Sequence, residues 1–301
     1  MPFDAARQFN EEVAMSKVLV MTDSNSGITQ AEGAEMGVRV LPMPFLIGDR
    51  TYFEDIDLTQ EEFYQKLSGE EEVSTSQPSP ETVINVWEEL LRQGDEVVYI
   101  PMSSGLSGSC HTAAMLAGDY DGRVQVVDNQ RISVTQRQSV SDALELAQRG
   151  WSAVQIREYL EKVKFESSIY IMLDTLKYLR KGGRITPAVA ALGSALRLKP
   201  VLTIQGEKLD SFAIARTKRQ GVAKMLSAMG DDIEKRFGGM DNIGQVHLAV
   251  AHTDNEAAAA EFAQIIREKF GVEDVVVNPL SLSVSCHIGP GSLAIACSKF
   301  I

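Results

Sequence analysis

Short apolar runs alternate with helical patterns through the first half of the chain. Residues 17–22 (KVLVMT) are an apolar run that ends in a polar loop, which predicts a buried strand. Apolar residues recur at helical spacing from 81 to 92, where Ser79 and Pro80 provide the N-cap and the first helical position. The same reading predicts a strand at 95–102, a helix at 109–117, a strand at 123–128 and helices near 135–149 and 152–164. Strands that alternate with helices favour right-handed crossovers and a parallel sheet.

The segment from 38 to 59 interrupts this rhythm. Its apolar stretches lie on either side of Gly48, Asp49 and Arg50, which predict a hairpin turn. Two prolines, Pro42 and Pro44, favour an edge strand or an excursion from the sheet, because proline has no N–H to donate. We therefore expect a small hairpin inserted into the N-terminal domain at about 38–59.

The second half of the chain alternates less regularly, which favours a mixed α/β arrangement. A helix is predicted to begin at Thr186 and Pro187, and a long helix to follow Arg216. An amphipathic helix is predicted over 255–270. The predicted strands are SSIYIMLD (167–174), KPVLTI (199–204), QVHLAVAH (245–252), VEDVVVNPL (272–280) and SLAIACS (292–298).

The length and composition fit a globular protein of two α/β domains. The chain has 301 residues, of which 44% are hydrophobic and 23% charged. We place an N-terminal domain at 17–165 and a C-terminal domain at 166–301. Residues 1–16 lack the basic start and long apolar run of a signal peptide, so we interpret them as an N-terminal extension.

Charge and cysteine content restrict the partners and the compartment. The formal net charge of -12 disfavours nucleic-acid binding and a polybasic membrane anchor. No apolar run approaches the roughly 18 residues that a membrane span requires, so stable membrane insertion is not expected. Three cysteines, Cys110, Cys286 and Cys297, form a sparse and odd set that is typical of reduced thiols. These features predict a cytoplasmic protein.

A glycine- and serine-rich loop, SSGLSGS at 103–109, lies between a predicted strand and a predicted helix. Ligands bind at this position in α/β sheets, because glycines let the backbone approach and a helix start offers unpaired N–H groups. The natural ligand of such a loop is an oxyanion. A tight turn with a serine N-cap would explain one serine and one glycine, but not the whole set.

Two further polar motifs are weaker when taken alone. The segment 74–80 (STSQPSP) precedes a helix and is explained by capping and turn chemistry. The segment 286–291 (CHIGPG) places His287 in a glycine- and proline-rich turn, where its ring could face a cleft without a helix or strand fixing its neighbours. A lone histidine is more often only hydrogen-bonded.

Two catalytic interpretations compete with simple binding. The pairs Cys110-His111 and Cys286-His287 lack the spacing of a metal site, so no metal is expected. The GxSxG-like run at 105–109 resembles a hydrolase elbow, although Ser109 stands where the last glycine should be. A serine hydrolase would use Ser107 or Ser104, His287 and a carboxylate such as Asp23 or Asp128. A redox or regulatory role for the thiols is supported only by their presence.

Six motifs in order resemble the DegV family. They are TDSNSGI near the start, TSQPSP, SSGLSGS, LKYLRKGGRI at 176–185, RTK at 216–218 and CHIGPG near the end. Each motif is short, but their number and order make the resemblance specific, and it extends from about residue 17 to the C-terminus.

The resemblance implies a two-domain protein that buries a long-chain fatty acid near the domain junction. It assigns the carboxylate to Thr75 and Ser107, with His287 and Gly289 beside it. Ser76 and Ser104 belong to the same motifs and complete the hydroxyl set. Two basic residues, Arg184 and Arg216, resemble those near the head group. Some family members are the binding subunit of a bacterial fatty-acid kinase, which implies that such a kinase is a partner.

A carrier without its own catalytic activity agrees with elementary energetics. A sixteen-carbon tail has about fifteen methylenes, each of which contributes ~0.8 kcal/mol on burial, whereas a hydrogen bond to a charged group contributes roughly 1.5–3 kcal/mol. The tail therefore determines affinity, and the head-group residues determine orientation. The chain has no GxxxxGK[ST] or GxGxxG motif for a nucleotide. We therefore expect no cofactor beyond the bound fatty acid and no enzymatic activity of the chain alone.

Overall fold

The computed structural model describes residues 16–69, 72–183, 186–190 and 198–301. The predicted extension at 1–16 therefore lies outside the described residues except for its last position. Its strands are β1 (Val18–Asp23), β2 (Val38–Leu41), β3 (Pro44–Ile47), β4 (Arg50–Phe53), β5 (Val73–Thr75), β6 (Glu96–Ile100), β7 (Val124–Val126), β8 (Ser167–Met172), β9 (Lys199–Ile204), β10 (Asp210–Ala215), β11 (Val246–His252), β12 (Val275–Pro279) and β13 (Leu293–Lys299).

The helices follow the same α/β pattern. They are α1 (Gln30–Met36), α2 (Gln60–Leu67), α3 (Pro80–Leu91), α4 (Ser109–Ala117), α5 (Ser133–Gln148), α6 (Ala153–Lys162), α7 (Lys177–Gly182), α8 (Pro187–Ala190), α9 (Lys218–Arg236), α10 (Glu256–Phe270) and α11 (Leu282–Ile288). Of these, α3 begins as the sequence predicts, because the Ser79 side chain accepts the backbone N–H of Thr82 and Pro80 occupies the first turn.

A four-stranded parallel sheet forms the N-terminal half, in the order β2-β1-β6-β7. Successive residues of β1 point to opposite faces, so that Val20 packs with α5 and α6 and Met21 packs with α3 and α4. Trp87 of α3 is fully buried on the second of these faces. The predicted parallel α/β layer is confirmed.

The C-terminal half contains a six-stranded mixed sheet in the order β10-β9-β8-β13-β11-β12. The β11 and β12 strands pair in parallel, and the other neighbouring strands are antiparallel. Helices α9 and α10 cover one face. The opposite face carries Ile169, Ile171 and Leu202, which pack with Ile132 and Val134 at the start of α5. The predicted mixed sheet is confirmed.

The inserted segment differs from the predicted hairpin at 38–59. Residues Val38–Leu41 are β2 of the main sheet, and the hairpin is formed by β3 and β4, with β5 adding a third strand beside β3. The predicted start at residue 38 was wrong because Val38, Val40 and Leu41 are buried on both faces of the main sheet. Pro42 then separates the two sheets, since it cannot donate to a strand ladder. The predicted turn at Gly48 is present.

The two halves meet through specific hydrogen bonds as well as apolar packing. The Ser103 hydroxyl donates to the Glu207 carbonyl at 2.8 Å, which joins the loop after β6 to the turn between β9 and β10. The Gln130 amide donates to the Glu207 carboxylate at 3.1 Å. The strands of the four-stranded and three-stranded sheets lie within 18–126, and those of the six-stranded sheet lie within 167–299. The domain boundary at about 165 stays a prediction.

None of the helices in the described ranges is both long enough and apolar enough to cross a membrane.

Candidate functional site

A cavity of about 260 Å³ lies between the two halves, at the carboxyl ends of β1, β5 and β6. Ligand sites of α/β sheets form at this edge because the loops that follow parallel strands converge there. Its polar lining includes Asn25, Thr75, Ser76, Ser107, Ser283 and His287. Its apolar lining includes Met43, Met102, Leu106, Ile132, Leu179 and Leu209. Three separate sequence motifs therefore meet at one cavity.

A second, apolar cavity adjoins the first. Ile132, Leu209, Val284 and Ile288 line both cavities, so these side chains form a shared wall. The second cavity measures about 30 Å³ and reaches the inner face of the six-stranded sheet. Apart from Ser133, the described side chains that line it are apolar. The arrangement places polar groups at one end and hydrocarbon at the other.

Thr75 and His287 are brought together by strand pairing and by a short helix. Thr75 is the last residue of β5 and pairs with Phe45 of β3. Its Oγ1 lies 2.9 Å from His287 Nε2. His287 lies in the last turn of α11, so the expectation that no helix fixes its neighbours was wrong. The helix forms because the Ser281 hydroxyl accepts the Val284 N–H as an N-cap.

Ser107 lies in the loop that connects β6 to α4. Its hydroxyl donates to Ser109 Oγ at 3.0 Å and accepts the Ser109 backbone N–H at 3.2 Å. The loop is compact because the backbone carbonyl of Ser103 accepts the N–H groups of Leu106 and Ser107. Ser103 as a whole residue is only 1% exposed. The hydroxyl is thereby held at the cavity surface, close to the N-terminal end of a nine-residue helix.

Of the remaining predicted residues, Ser104, Gly289 and Arg216 do not line this cavity. The backbone N–H of Ser104 donates to Asp128 Oδ1 at 3.2 Å. Gly289 ends α11 with φ +74°, and a Cβ there would lie 2.2 Å from the Tyr178 ring, so this position requires glycine for packing. Arg216 is exposed at the end of β10. Arg184 lies outside the described residues.

Asn25 and Ser283 also line the cavity, but the sequence analysis did not predict them as site residues. Asn25 lies in a short 3₁₀ turn after β1, within the polar loop that was recognised only as the end of a strand. Ser283 lies in the first turn of α11, and its hydroxyl donates to Asn25 Oδ1 at 2.6 Å. The available signal was the position of Asn25 at the carboxyl end of β1, beside the strand that carries the SSGLSGS loop.

Asp23 is a buried carboxylate that joins the ends of β1 and β6. Its Oδ1 accepts from Asn25 N and from Gln136 Nε2, and its Oδ2 accepts from Met102 N at 2.9 Å. Desolvation raises the pKa of Asp23, and these hydrogen bonds oppose that shift. The described contacts of Asp23 are thus structural and do not include His287.

Glu54 holds the other end of α11. Its Oε1 accepts the Leu282 N–H at 2.7 Å at the start of the helix. Part of the residue is exposed, but Oε2 is enclosed. Burial raises the pKa of this carboxyl from its ordinary 4.5 to about 8. The carboxyl group that anchors the helix carrying His287 therefore keeps its proton to a higher pH than an ordinary glutamate.

No group of histidine, cysteine and acidic residues that could hold a metal ion occurs within the described parts of the chain.

The sequence is similar to a known protein family over nearly its whole length. A model of the DegV family, a family of uncharacterised proteins, matches residues 17–299. A DegV domain-containing protein from Staphylococcus aureus strain N315 is 27% identical over 285 residues, which are 95% of this chain and 100% of that protein. The chain belongs to the DegV family.

Solved structures of two relatives agree with the fold. A fatty-acid-binding DegV family protein from Thermus thermophilus is 30% identical, with a TM-score of 0.85 over 94% of this chain and 100% of that one. DegV, a fatty acid binding protein from Bacillus subtilis, is 27% identical, with a TM-score of 0.83 over 94% of this chain and 99% of that one. The resemblance seen in the motifs is confirmed.

We predict that Glu54 makes the protein less stable as the pH rises. Because its folded pKa of about 8 exceeds the unfolded 4.5, the folded state binds this proton more tightly. The free energy of unfolding should then fall between about pH 5 and 8, by on the order of 1 kcal/mol per pH unit. Glu54→Gln should flatten this slope in urea denaturation, because the amide oxygen can still accept the Leu282 N–H.

Glu61→Gln, at an exposed acid of α2, is the matched control and should keep the wild-type slope. Asp23 and Asp142 also have raised pKa values, that of Asp142 about 6, but both are present in all three proteins. Identical slopes for the wild type and Glu54→Gln would contradict the assignment.

Proposed function

We propose that the protein binds a long-chain fatty acid, with the carboxylate at Thr75, Ser76, Ser107 and His287 and the first part of the tail directed into the apolar cavity. The observation that carries this proposal is the shared wall between the two cavities, since it joins a polar end to a hydrocarbon end. Two relatives of at least 27% identity that bind fatty acids support it. Ser104, Gly289, Arg184 and Arg216 are assigned a supporting role near the head group.

The energetics explain why this site would hold an acid with a long tail. A sixteen-carbon tail has about fifteen methylenes, and each gains ~0.8 kcal/mol on leaving water. Their sum exceeds the roughly 1.5–3 kcal/mol from any one head-group hydrogen bond. Hydroxyl and imidazole groups then determine which way the chain enters. The apolar wall formed by Ile132, Leu209 and Ile288 gives the first part of the tail its contacts.

The described contacts favour a carrier over a serine hydrolase. A nucleophilic serine needs a base within hydrogen-bond reach. The Ser107 hydroxyl is bonded to Ser109, and His287 Nε2 is bonded to Thr75. Both oxygens of Asp23 are occupied by other partners. We therefore assign the chain a binding role without catalytic activity of its own.

We further propose that the bound acid is presented to a fatty-acid kinase subunit. Residues 177–219 contain ten lysines and arginines and two acidic residues, in a chain whose net charge is -12. This basic segment begins with α7, whose Gly182 lies so close to the His287 ring that a Cβ would be 2.0 Å from Nδ1. The basic side chains of α7 beside the carboxylate would attract an acidic partner or a phosphate donor.

A cytoplasmic location is part of the same proposal. Cys110, Cys286 and Cys297 are all free and buried, which fits a reducing compartment. A fatty-acid kinase that uses ATP would also be available there.

The proposal predicts that the purified protein retains a long-chain fatty acid from the cells that produced it. A buried tail should survive gel filtration, and native mass spectrometry followed by solvent extraction and gas chromatography will detect it. Absence of any acyl chain, together with no binding of added palmitate or oleate, would refute the carrier function.

Head-group variants should weaken binding without abolishing it. Ser107→Ala and Thr75→Val should each reduce the free energy of oleate binding by roughly 1–3 kcal/mol, because each removes one donor to a charged group. Isothermal titration calorimetry measures this change, and Ser298→Ala, at a buried hydroxyl away from the cavity, is the control. A hydrolase would behave differently: wild-type esterase activity that Ser107→Ala abolishes would falsify the carrier assignment.

Phosphorylation of the acid should require a partner. The chain alone, with oleate, ATP and Mg²⁺, should form no acyl phosphate, because it has no nucleotide-binding motif. Trapping with hydroxylamine should detect product once a bacterial fatty-acid kinase subunit is added. Product from the lone chain, or none with any such subunit, would contradict the presentation model.

A further inference from the structure

The head-group cavity opens to solvent at Ser76, Gln77 and Gly108. These residues line the cavity and are exposed, whereas Leu106 and Ile288 line it and are buried. The exposed residues come from the segment that follows β5 and from the residue that precedes α4. The mouth of the cavity therefore lies between these two segments.

Gln77 follows Thr75 on the same side of an extended segment. Strand β5 ends at Thr75, but the Ser76 N–H still donates to the Pro44 carbonyl at 3.4 Å, so the chain stays alongside the inserted sheet. Pro78 then disfavours a helical conformation for Gln77. Side chains two residues apart in an extended segment point the same way and lie about 6.6 Å apart. Gln77 is thus further out than Thr75, which agrees with its greater exposure.

One branch of the Gln77 amide already has a partner. The Thr112 hydroxyl, in α4, donates to Gln77 Oε1 at 3.2 Å. A Cβ at Gly108 would lie 3.5 Å from the same oxygen, so the side chain crosses the start of α4. The other branch, Nε2, carries two hydrogens and makes no hydrogen bond to the described parts of the chain. Because Gln77 is an exposed residue that lines the cavity, this donor is available to a ligand at the mouth.

Phosphorylation of the bound acid would add a group at this end of the cavity. In the proposed kinase reaction a carboxylate oxygen bonds to the terminal phosphorus of ATP, and ADP leaves with the electrons of the broken P–O bond. The tail lies along the apolar wall that includes Ile132 and Leu209, so the new phosphoryl group extends away from that wall, towards the mouth. It brings acceptor oxygens and negative charge to the Gln77 amide.

We propose that Gln77 recognises the acyl phosphate product, with Nε2 donating a hydrogen bond to its phosphoryl group. A hydrogen bond to a charged oxygen is roughly twice as strong as one between neutral groups. The carboxyl group is held further in, at Thr75 and Ser107, so Gln77 favours the acyl phosphate over the free acid. This inference rests on the proposed fatty-acid binding and presentation to a kinase.

The test compares palmitate with 2-oxoheptadecylphosphonate, which has the same acyl chain and a CH₂ group in place of the bridging oxygen of palmitoyl phosphate. In Gln77→Met the affinity for the phosphonate should fall about fivefold or more, whereas that for palmitate should fall about twofold or less. Gln77→Glu keeps an acceptor for Thr112 but replaces the donor with a negative charge, so its affinity for the phosphonate should fall about tenfold or more. Isothermal titration calorimetry measures both affinities.

Gln264→Met is the matched control. Gln264 is also an exposed glutamine, its amide donates to Glu268 on α10, and it does not line the cavity. This variant should keep the wild-type ratio of the two affinities. In the ¹⁵N-labelled wild type, the side-chain amide resonances of Gln77 should shift downfield with the phosphonate and much less with palmitate.

An unchanged ratio in Gln77→Met, or equal amide shifts with both ligands, would overturn the role of Gln77 while palmitate binding itself remained. A wild type that binds palmitate but not the phosphonate would overturn it as well. Failure of the wild type to bind palmitate would instead refute the fatty-acid proposal and this inference together.

Discussion

The hydrogen bond between Thr75 and His287 joins segments that are 212 residues apart in sequence. It can form only if the inserted sheet, which carries Thr75, and α11, which carries His287, are held in fixed positions. The energy of one such bond is small, roughly 0.5–1.5 kcal/mol, so it cannot itself hold the two halves together. The apolar packing around both segments must provide that constraint, and the bond then orients the side chains.

The inserted sheet and the helix α2 that follows it both support α11. Phe45 and Phe63 are fully buried and pack with Leu282 and Cys286 of α11. The Tyr64 hydroxyl lies 2.9 Å from Ser285 Oγ in the middle of the helix. Glu54 accepts the first N–H of the helix from the same insertion. The segment from β3 to β5 therefore fixes the position of α11, the helix that carries His287.

The sequence predicted those elements that local patterns determine. Helix α4 has the predicted bounds of 109–117, and α3 begins at its predicted cap, because periodicity and capping are properties of neighbouring residues. Strand β5 and helix α11 were missed, since β5 has three residues and depends on pairing with β3, and α11 is short and rich in serine.

The sequence predicted only those residues of the candidate site that belong to local motifs. Thr75, Ser107 and His287 were found through motifs that resemble a family, and the structure brings all three to one cavity. Asn25 was missed because the partners that orient it, Ser281 and Ser283, are more than 250 residues away in sequence. Hydrogen bonds between residues so far apart depend on the tertiary fold, so no local pattern in the sequence indicates them.

The proposed binding of a fatty acid would have one further consequence for the Thr75 and His287 pair. The Thr75 hydroxyl has a single hydrogen, which it can donate either to His287 Nε2 or to a carboxylate, but not to both. If the acid takes this hydrogen, the bond to the ring can persist only when Nε2 carries a hydrogen of its own and donates it to Thr75 Oγ1. Ligand binding would thus select the form of His287 with a proton on Nε2. The ring would then act on the carboxylate through Thr75, as a positioning group that polarises the hydroxyl, because a hydroxyl that accepts a hydrogen bond becomes a stronger donor.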